Sequence, residues 1–246
     1  MLPELTFPYL IPGQEVLLDD GKIHLKIVEK AENVTENGGE NTQEKRYFAK
    51  VLWGGLLKSR KSAALPGAKI YPPTLTNSDL ANIKIANEMG VTGVMQPFVR
   101  DHSDLECVKE ALREAGAEDI RLFAKIENMD GVRKLEKLLP AADEIVIARG
   151  DLGNAVHLWD LPGVQRQIAE KCRAAGKPFM VVTQMLASME RSPVPTRAEV
   201  NDIFHAVMDG AASIMVTGET AVGDYPVEVI RYMVNTVRSA EKEENR

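Results

Sequence analysis

Cysteine is nearly absent from this sequence: there are two in 246 residues, Cys107 and Cys172. Their spacing fits neither a metal site nor a disulfide framework, and unpaired cysteines suit a reducing cytosol. Each falls in an amphipathic pattern, where a buried small apolar side chain is expected. An excess of positive charge is also missing. The formal net charge of −6 argues against a nucleic-acid groove or an anionic membrane surface as the main partner. An acidic balance leaves the substrate open, because an anion site needs only a few local cations. No uncharged apolar run approaches the ~18 residues of a membrane span, and the N-terminus lacks the basic start of a signal peptide. A cytoplasmic protein is therefore expected. What is present is ordinary globular composition, 44% hydrophobic and 27% charged, enough for one large domain or a medium one with an appendage.

Residues 1–68 read as a small β-rich module. Short alternating runs, Glu15-Val-Leu-Leu and Ile23-His-Leu-Lys-Ile-Val, are punctuated by Asp19-Asp-Gly and Asn37-Gly-Gly, both hairpin signals. Leu65-Pro-Gly-Ala-Lys-Ile-Tyr-Pro-Pro closes the module, since its prolines interrupt any helix or central strand. Residues 69–246 alternate helix and strand. Thr76-Asn-Ser-Asp opens a helix. Apolar strands are expected at Gly93–Val99, Arg121–Ile126, Glu144–Ala148, Pro178–Thr183 and Ser213–Thr217, and a last helix from Pro226 to Glu243. Near-continuous apolar strands separated by helices indicate a parallel sheet covered on both faces.

Polar residues collect where these strands finish. The ends read Lys125-Ile-Glu127-Asn, Ala148-Arg-Gly-Asp151-Leu-Gly, Thr183-Gln-Met and Thr217-Gly-Glu219-Thr. Ligands of parallel α/β proteins bind outside the carboxyl ends of strands. The bland alternative is that these residues are helix caps and loop salt bridges. Lys125 and Glu127, two apart, share one face of an extended strand, with Ile126 on the other. Glu127 and Asp151, leaving neighbouring strands, could hold a hard divalent cation; alternatively Glu127 merely pairs with Lys125. Gly150 and Gly153 allow close backbone approach to a ligand, and amides there could receive a carboxylate. Arg149 could touch a ligand or turn back to brace the acidic cluster. His205 reads as a packed or capping histidine. For His157 and Trp159, near the site loop, substrate or partner contact is left open, and Trp53 suggests no role.

Taken in order, Lys125-Ile-Glu-Asn-Met-Asp-Gly-Val, Ala148-Arg-Gly-Asp-Leu-Gly, Gly176-Lys-Pro, Thr183-Gln-Met-Leu-Ala-Ser-Met, Pro195-Thr-Arg-Ala-Glu-Val-Asn-Asp and Thr217-Gly-Glu-Thr-Ala-Val-Gly-Asp-Tyr-Pro resemble pyruvate kinase. Upstream, Leu18-Asp-Asp-Gly-Lys-Ile resembles the end of that family's β-rich B domain, and Arg60-Lys61-Ser-Ala-Ala-Leu-Pro-Gly the return into its barrel. The resemblance implies part of a TIM (β/α)₈ barrel, strands 4–8, with a remnant of the B domain. It implies phosphoryl transfer between phosphoenolpyruvate and ADP, giving pyruvate and ATP in glycolysis. Lys125 would neutralise the transferring phosphoryl group and the developing enolate, and Glu127 and Asp151 would hold Mg²⁺ or Mn²⁺. The Gly150 and Asp151 backbone would bind the substrate carboxylate, Thr183 would contact it near the methylene carbon, and Lys61 would meet nucleotide phosphate.

This sequence also departs from the family. The family's first three barrel strands have no counterpart, and with them go the phosphate-gripping arginine and asparagine and the ligands of the expected K⁺ site. The C-terminal regulatory domain and its effector site have none either. Asn154-Ala-Val-His-Leu-Trp replaces the family's usual loop. An unclosed sheet has unsatisfied edges, so a homo-oligomer is expected. Two other readings stand beside kinase activity: a catalytically incomplete remnant that folds or associates, and a Mg²⁺-dependent aldolase or lyase of 2-oxo acids on the related barrel.

Overall fold

The computed structural model describes residues 2–19, 21–31, 46–59 and 61–244 and divides the chain into two units, Met1–Pro73 and Thr74–Arg246. In the first unit, β1 (Glu15–Leu18), β2 (Ile23–Lys30), β3 (Tyr47–Trp53) and β4 (Ala63–Ala64) form one sheet in the order β3-β2-β1-β4. Adjacent strands are antiparallel, and Leu18 faces Ile23 across the first hairpin. The turn between them needs left-handed backbone: Asp19 has φ 51° and Gly21 φ 82°, conformations that aspartate and glycine tolerate best. Val16 and Ile27 bury one face of this sheet against Leu10 and Leu65. The second hairpin signal, Asn37-Gly-Gly, lies outside the described residues.

The second unit runs α1 (Asn77–Ile85), β5 (Gly93–Gln96), α2 (His102–Glu114), β6 (Arg121–Ile126), α3 (Met129–Arg133), α4 (Leu135–Leu138), β7 (Glu144–Ala148), α5 (Arg149–Ala155), α6 (Leu161–Ala174), β8 (Phe179–Val182), α7 (Arg197–Met208), β9 (Ser213–Met215), α8 (Gly218–Ala221) and α9 (Pro226–Glu244). The strands form one parallel sheet in sequence order, β5-β6-β7-β8-β9. Strand alternation sorts its side chains. Leu122, Ala124, Ile126, Ile145, Ile147 and Val181 join the main core with helix residues such as Leu105, Leu138 and Ile168. Val146, Ala148 and Val182 share a separate cluster with Phe123, Met180 and Met215, and Lys125, two residues beyond Phe123, lies on the same side of the strand. The sheet is open: among the described residues no strand joins β5 to β9, and no barrel closes.

Local signals explain the helix starts. Thr76, Asp101 and Thr196 each cap a helix with a reciprocal capping box, to Asp79, Asp104 and Glu199 respectively. Cys172 is buried as expected, and burial pushes its thiol up to about 12. Cys107 corrects the expectation, because it is exposed. The buried stripe of α2 is Leu105, Val108, Ala111 and Leu112, and a residue two places beyond Leu105 lies across the helix from it. Among the described residues no helix is long and apolar enough to cross a membrane.

One buried acid near the start of this unit makes folding sensitive to pH. Asp104 is 3% exposed; its carboxylate accepts from the Arg100 backbone amide at 2.8 Å, Arg100 Nη2 at 2.5 Å and Thr74 Oγ1 at 2.6 Å. Burial pushes its pKa up, but these bonds and the Arg100 charge outweigh that and hold it at about 2. Because the folded value lies below the ordinary one, the stabilisation is present above about pH 4 and is lost as pH falls toward 2. It amounts to about 2 kcal/mol. Urea midpoints measured at pH 6 and pH 3 should therefore separate by less in Asp104→Asn than in the parent; an unchanged separation would refute the assignment.

Candidate active site at the strand ends

The carboxyl ends of β6, β7 and β8, neighbours in the sheet, carry most of the sequence-predicted residues. Lys125 leaves the last turn of β6 and pairs with Glu127, Nζ to Oε1 2.8 Å. The Glu127 side chain is 2% exposed and that of Lys125 is 25% exposed, so the acid is sealed and the ammonium reaches solvent. Ile126, between them, is fully buried in the helix-covered core. The second Glu127 oxygen accepts the backbone N–H of Phe98 at 2.7 Å. Phe98 can present that amide because it sits at φ 52°, in the loop after β5. The simple ion pair anticipated as an alternative is thus present. It leaves each carboxylate oxygen a further lone pair for another ligand.

Asn128 and Gly131 of the same motif serve structure. Asn128 caps α3, its Oδ1 accepting from Gly131 N–H at 2.9 Å, while its Nδ2 donates to Val99 O at 3.1 Å. A Cβ on Gly131 would lie 2.6 Å from that same Val99 oxygen.

From β7 the chain passes directly into α5, with Arg149, Gly150 and Asp151 in its first turn. Asp151 is half-buried and follows the strand that pairs with β6. Thr183 follows β8 and packs on Gly150: a Cβ at that glycine would come 3.1 Å from Thr183 Cγ2. Thr183 and Gln184 have φ of 83° and 54°. For a β-branched residue this backbone is strained by on the order of 1–3 kcal/mol. Arg149 turns toward this bend. Its Nε and Nη2 donate to Thr183 O at 3.2 and 2.7 Å, and Nη1 meets Asp202 of α7 at 2.7 Å.

At the end of β9 the bland reading holds. Glu219 is 2% exposed and collects backbone amides, those of Leu186 at 3.2 Å and Thr217 at 2.8 Å. Lys61 belongs to the first unit, where Nζ pairs with Asp19 Oδ1 at 2.8 Å, a contact that holds the Asp19 carboxyl below its ordinary value. His205 is exposed on α7 with Nδ1 2.8 Å from Asn201 O, so it is not packed. His157 stacks on Trp159, centroids 4.6 Å apart. Trp53 packs edge-on against His24 in the first unit.

Phe98, Asp202 and the grip of Arg149 on the Thr183 carbonyl were not legible in the sequence. Phe98 acts through a backbone amide and carries no side-chain signal. Asp202 lies 53 residues from Arg149, a pairing only the fold creates.

A parallel α/β sheet thus carries an ammonium, acidic oxygens and a strained threonine at its carboxyl ends. Comparison with known proteins gives the family. Residues 6–230 match the model for the pyruvate kinase barrel domain. The chain is 40% identical over 233 residues to a pyruvate kinase of Geobacillus stearothermophilus, covering 93% of this chain and 38% of the relative. It is 38% identical over 230 residues to that of Bacillus licheniformis, covering 94% and 38%. Against that of Chlamydia pneumoniae it is 36% identical over 242 residues, covering 98% and 48%. The chain belongs to the pyruvate kinase family, by family a transferase, and spans less than half the length of these relatives.

Proposed function

We propose that this chain performs pyruvate kinase-type phosphoryl transfer between phosphoenolpyruvate and ADP, on part of a (β/α)₈ barrel. The observation that carries the reading is the Lys125–Glu127 pair at the end of β6, 2.8 Å apart, beside the β7 end that bears Asp151. Phosphoryl transfer asks a protein mainly to position reactants and neutralise spreading negative charge. Lys125, held by a sealed carboxylate and partly open to solvent, suits a group that meets the transferring phosphoryl oxygens and then the enolate. The backbone of Gly150 and Asp151 receives the substrate carboxylate. The hydroxyl of Thr183, whose methyl packs against Gly150, contacts the same group near the carbon that is later protonated. Lys61 would meet nucleotide phosphate.

The donor set suits Mg²⁺. Among the described residues no three His, Cys, Asp or Glu side chains cluster as a cage, and Mg²⁺ typically takes one or two carboxylates, with substrate and water completing its octahedron. Glu127 and Asp151 would be those carboxylates, both hard oxygen donors. A magnesium ion held there would supply Lewis acidity toward a substrate oxygen.

The open sheet favours a second reading, in which the chain binds ligand without turnover and associates through its edges. A coupled assay with phosphoenolpyruvate, ADP and Mg²⁺, with and without K⁺, separates the two. The proposal expects pyruvate formation that depends on Mg²⁺. No turnover, together with retained Mg²⁺-dependent oxalate binding, would replace it with the second reading. Cleavage of a longer 2-oxo acid would instead indicate an aldolase.

A further inference from the structure

We infer that Arg149 and Asp202 form a positioning pair that fixes the Thr183 hydroxyl by gripping the backbone of the Thr183–Gln184 bend; its consequence for turnover rests on the phosphoryl-transfer reading above. The case starts from the bend itself. Two successive non-glycine residues at φ 83° and 54° will not keep that backbone unless neighbouring groups hold it. Two neighbours do so here, and they are adjacent in sequence. Gly150 seats the Thr183 side chain, offering no Cβ where Thr183 Cγ2 lies. Arg149 holds the other side of the same residue, with Nε and Nη2 both on the Thr183 carbonyl.

The guanidinium is itself fixed. Its side chain is 12% exposed, Nη1 lies 2.7 Å from Asp202 Oδ2, and Nη2 lies 2.8 Å from the buried Met185 sulfur. A carbonyl held by two N–H groups of one fixed guanidinium cannot rotate without breaking both bonds, and rotation of that peptide is the motion that would release the bend. The first turn of α5 and the first half of α7 thus jointly set where the threonine hydroxyl points. Arginine is required because one planar fork must reach a carbonyl and a carboxylate together. A lysine ammonium, a single point on a flexible stem, cannot keep both contacts.

Three variants of the whole chain test this: Arg149→Met, Arg149→Lys and Asp202→Asn. Arg149→Met should lower kcat by about 10²-fold, the loss typical of a misplaced reacting group. KM for phosphoenolpyruvate should stay within about threefold, because the lost interaction serves the transition state. Arg149→Lys should restore little of it, and Asp202→Asn, which keeps the guanidinium on the carbonyl, should fall between Arg149→Met and the parent. A second readout is independent of turnover. The γ-methyl NMR signal of Thr183, assigned by its disappearance in Thr183→Ser, should shift in Arg149→Met while that of Thr92 does not. Unchanged kcat, full rescue by lysine, or an unmoved Thr183 methyl would each overturn the pair. If the parent chain gives no turnover, the phosphoryl-transfer reading fails, and the methyl signal alone decides the brace.

Discussion

Lys125→Met should reduce turnover of phosphoenolpyruvate by roughly 10³-fold or more, the scale on which removing a cation or donor from a charge-stabilising site acts. Mg²⁺-dependent binding of oxalate should persist, since Glu127 and Asp151 remain. The same change should also destabilise the fold. Glu127 would keep its Phe98 amide but lose the ammonium that balances its buried charge, and breaking a buried pair from one side costs about 3–5 kcal/mol. The double variant Lys125→Met/Glu127→Gln distinguishes the two effects. It should regain most of the lost stability, because no buried charge is left unpaired, yet remain inactive. Chemical denaturation and the coupled assay on the same three proteins check this. Retained turnover in Lys125→Met would remove the lysine from the chemistry.

The second large effect concerns glycine, and the same substitution is expected to have opposite signs at two positions. A Cβ on Gly223 would lie 2.2 Å from the Glu219 carbonyl oxygen and 3.0 Å from its carbon. Both are backbone atoms of α8, so no side chain can swing aside. Gly223 N–H also donates to Gly218 O, and the next amide, that of Asp224, donates to Glu190 O. Relief of the clash must therefore drag α8, and with it the Glu219 carboxylate that gathers the Leu186 and Thr217 amides. Gly223→Ala should destabilise by about 3 kcal/mol, at the upper end for overpacking. Gly163, inside α6, has nothing within 4 Å of its would-be Cβ. Gly163→Ala should stabilise by about 0.5–1 kcal/mol through a less flexible unfolded chain and better helix propensity. Thermal melts of the two proteins, moving in opposite directions from the parent, are the expected result. A neutral Gly223→Ala would mean that α8 yields more easily than its hydrogen bonds suggest.

Much of the second unit could be read directly from the sequence, and the reason is periodicity. Arg121–Ile126 and Glu144–Ala148 are strands with the expected bounds, because apolar runs covered on both faces leave little ambiguity. The strands expected at Pro178–Thr183 and Ser213–Thr217 are shorter; their last residues leave the ladder to enter the loops that carry polar groups. The pairing of Lys125 with Glu127 followed from two-residue spacing on a strand. The unclosed sheet was expected too, from five strands where the family has eight, and among the described residues the sheet is open. Arg149 gave two equally good sequence readings, a ligand contact or a brace for the acidic cluster, and neither named the Thr183 carbonyl and Asp202 that the guanidinium meets. Glu219 looked like Glu127 at the level of motif. The two differ in what surrounds them: an ammonium and one amide for Glu127, amides alone for Glu219. Cys107 differs for a simpler reason: two places beyond the buried Leu105, it falls on the exposed face of an amphipathic helix.

The unequal exposure of the two thiols has a practical side. Cys172 is sealed, and a thiol held near 12 is almost never the reactive thiolate, whereas Cys107 stands open on α2. Alkylating reagents and maleimide fluorophores should therefore mark one position per chain, giving a site-specific handle without mutagenesis. In air the same sulfur can couple two molecules covalently. A dimer found by sizing counts as strand-edge assembly only if it survives a reductant.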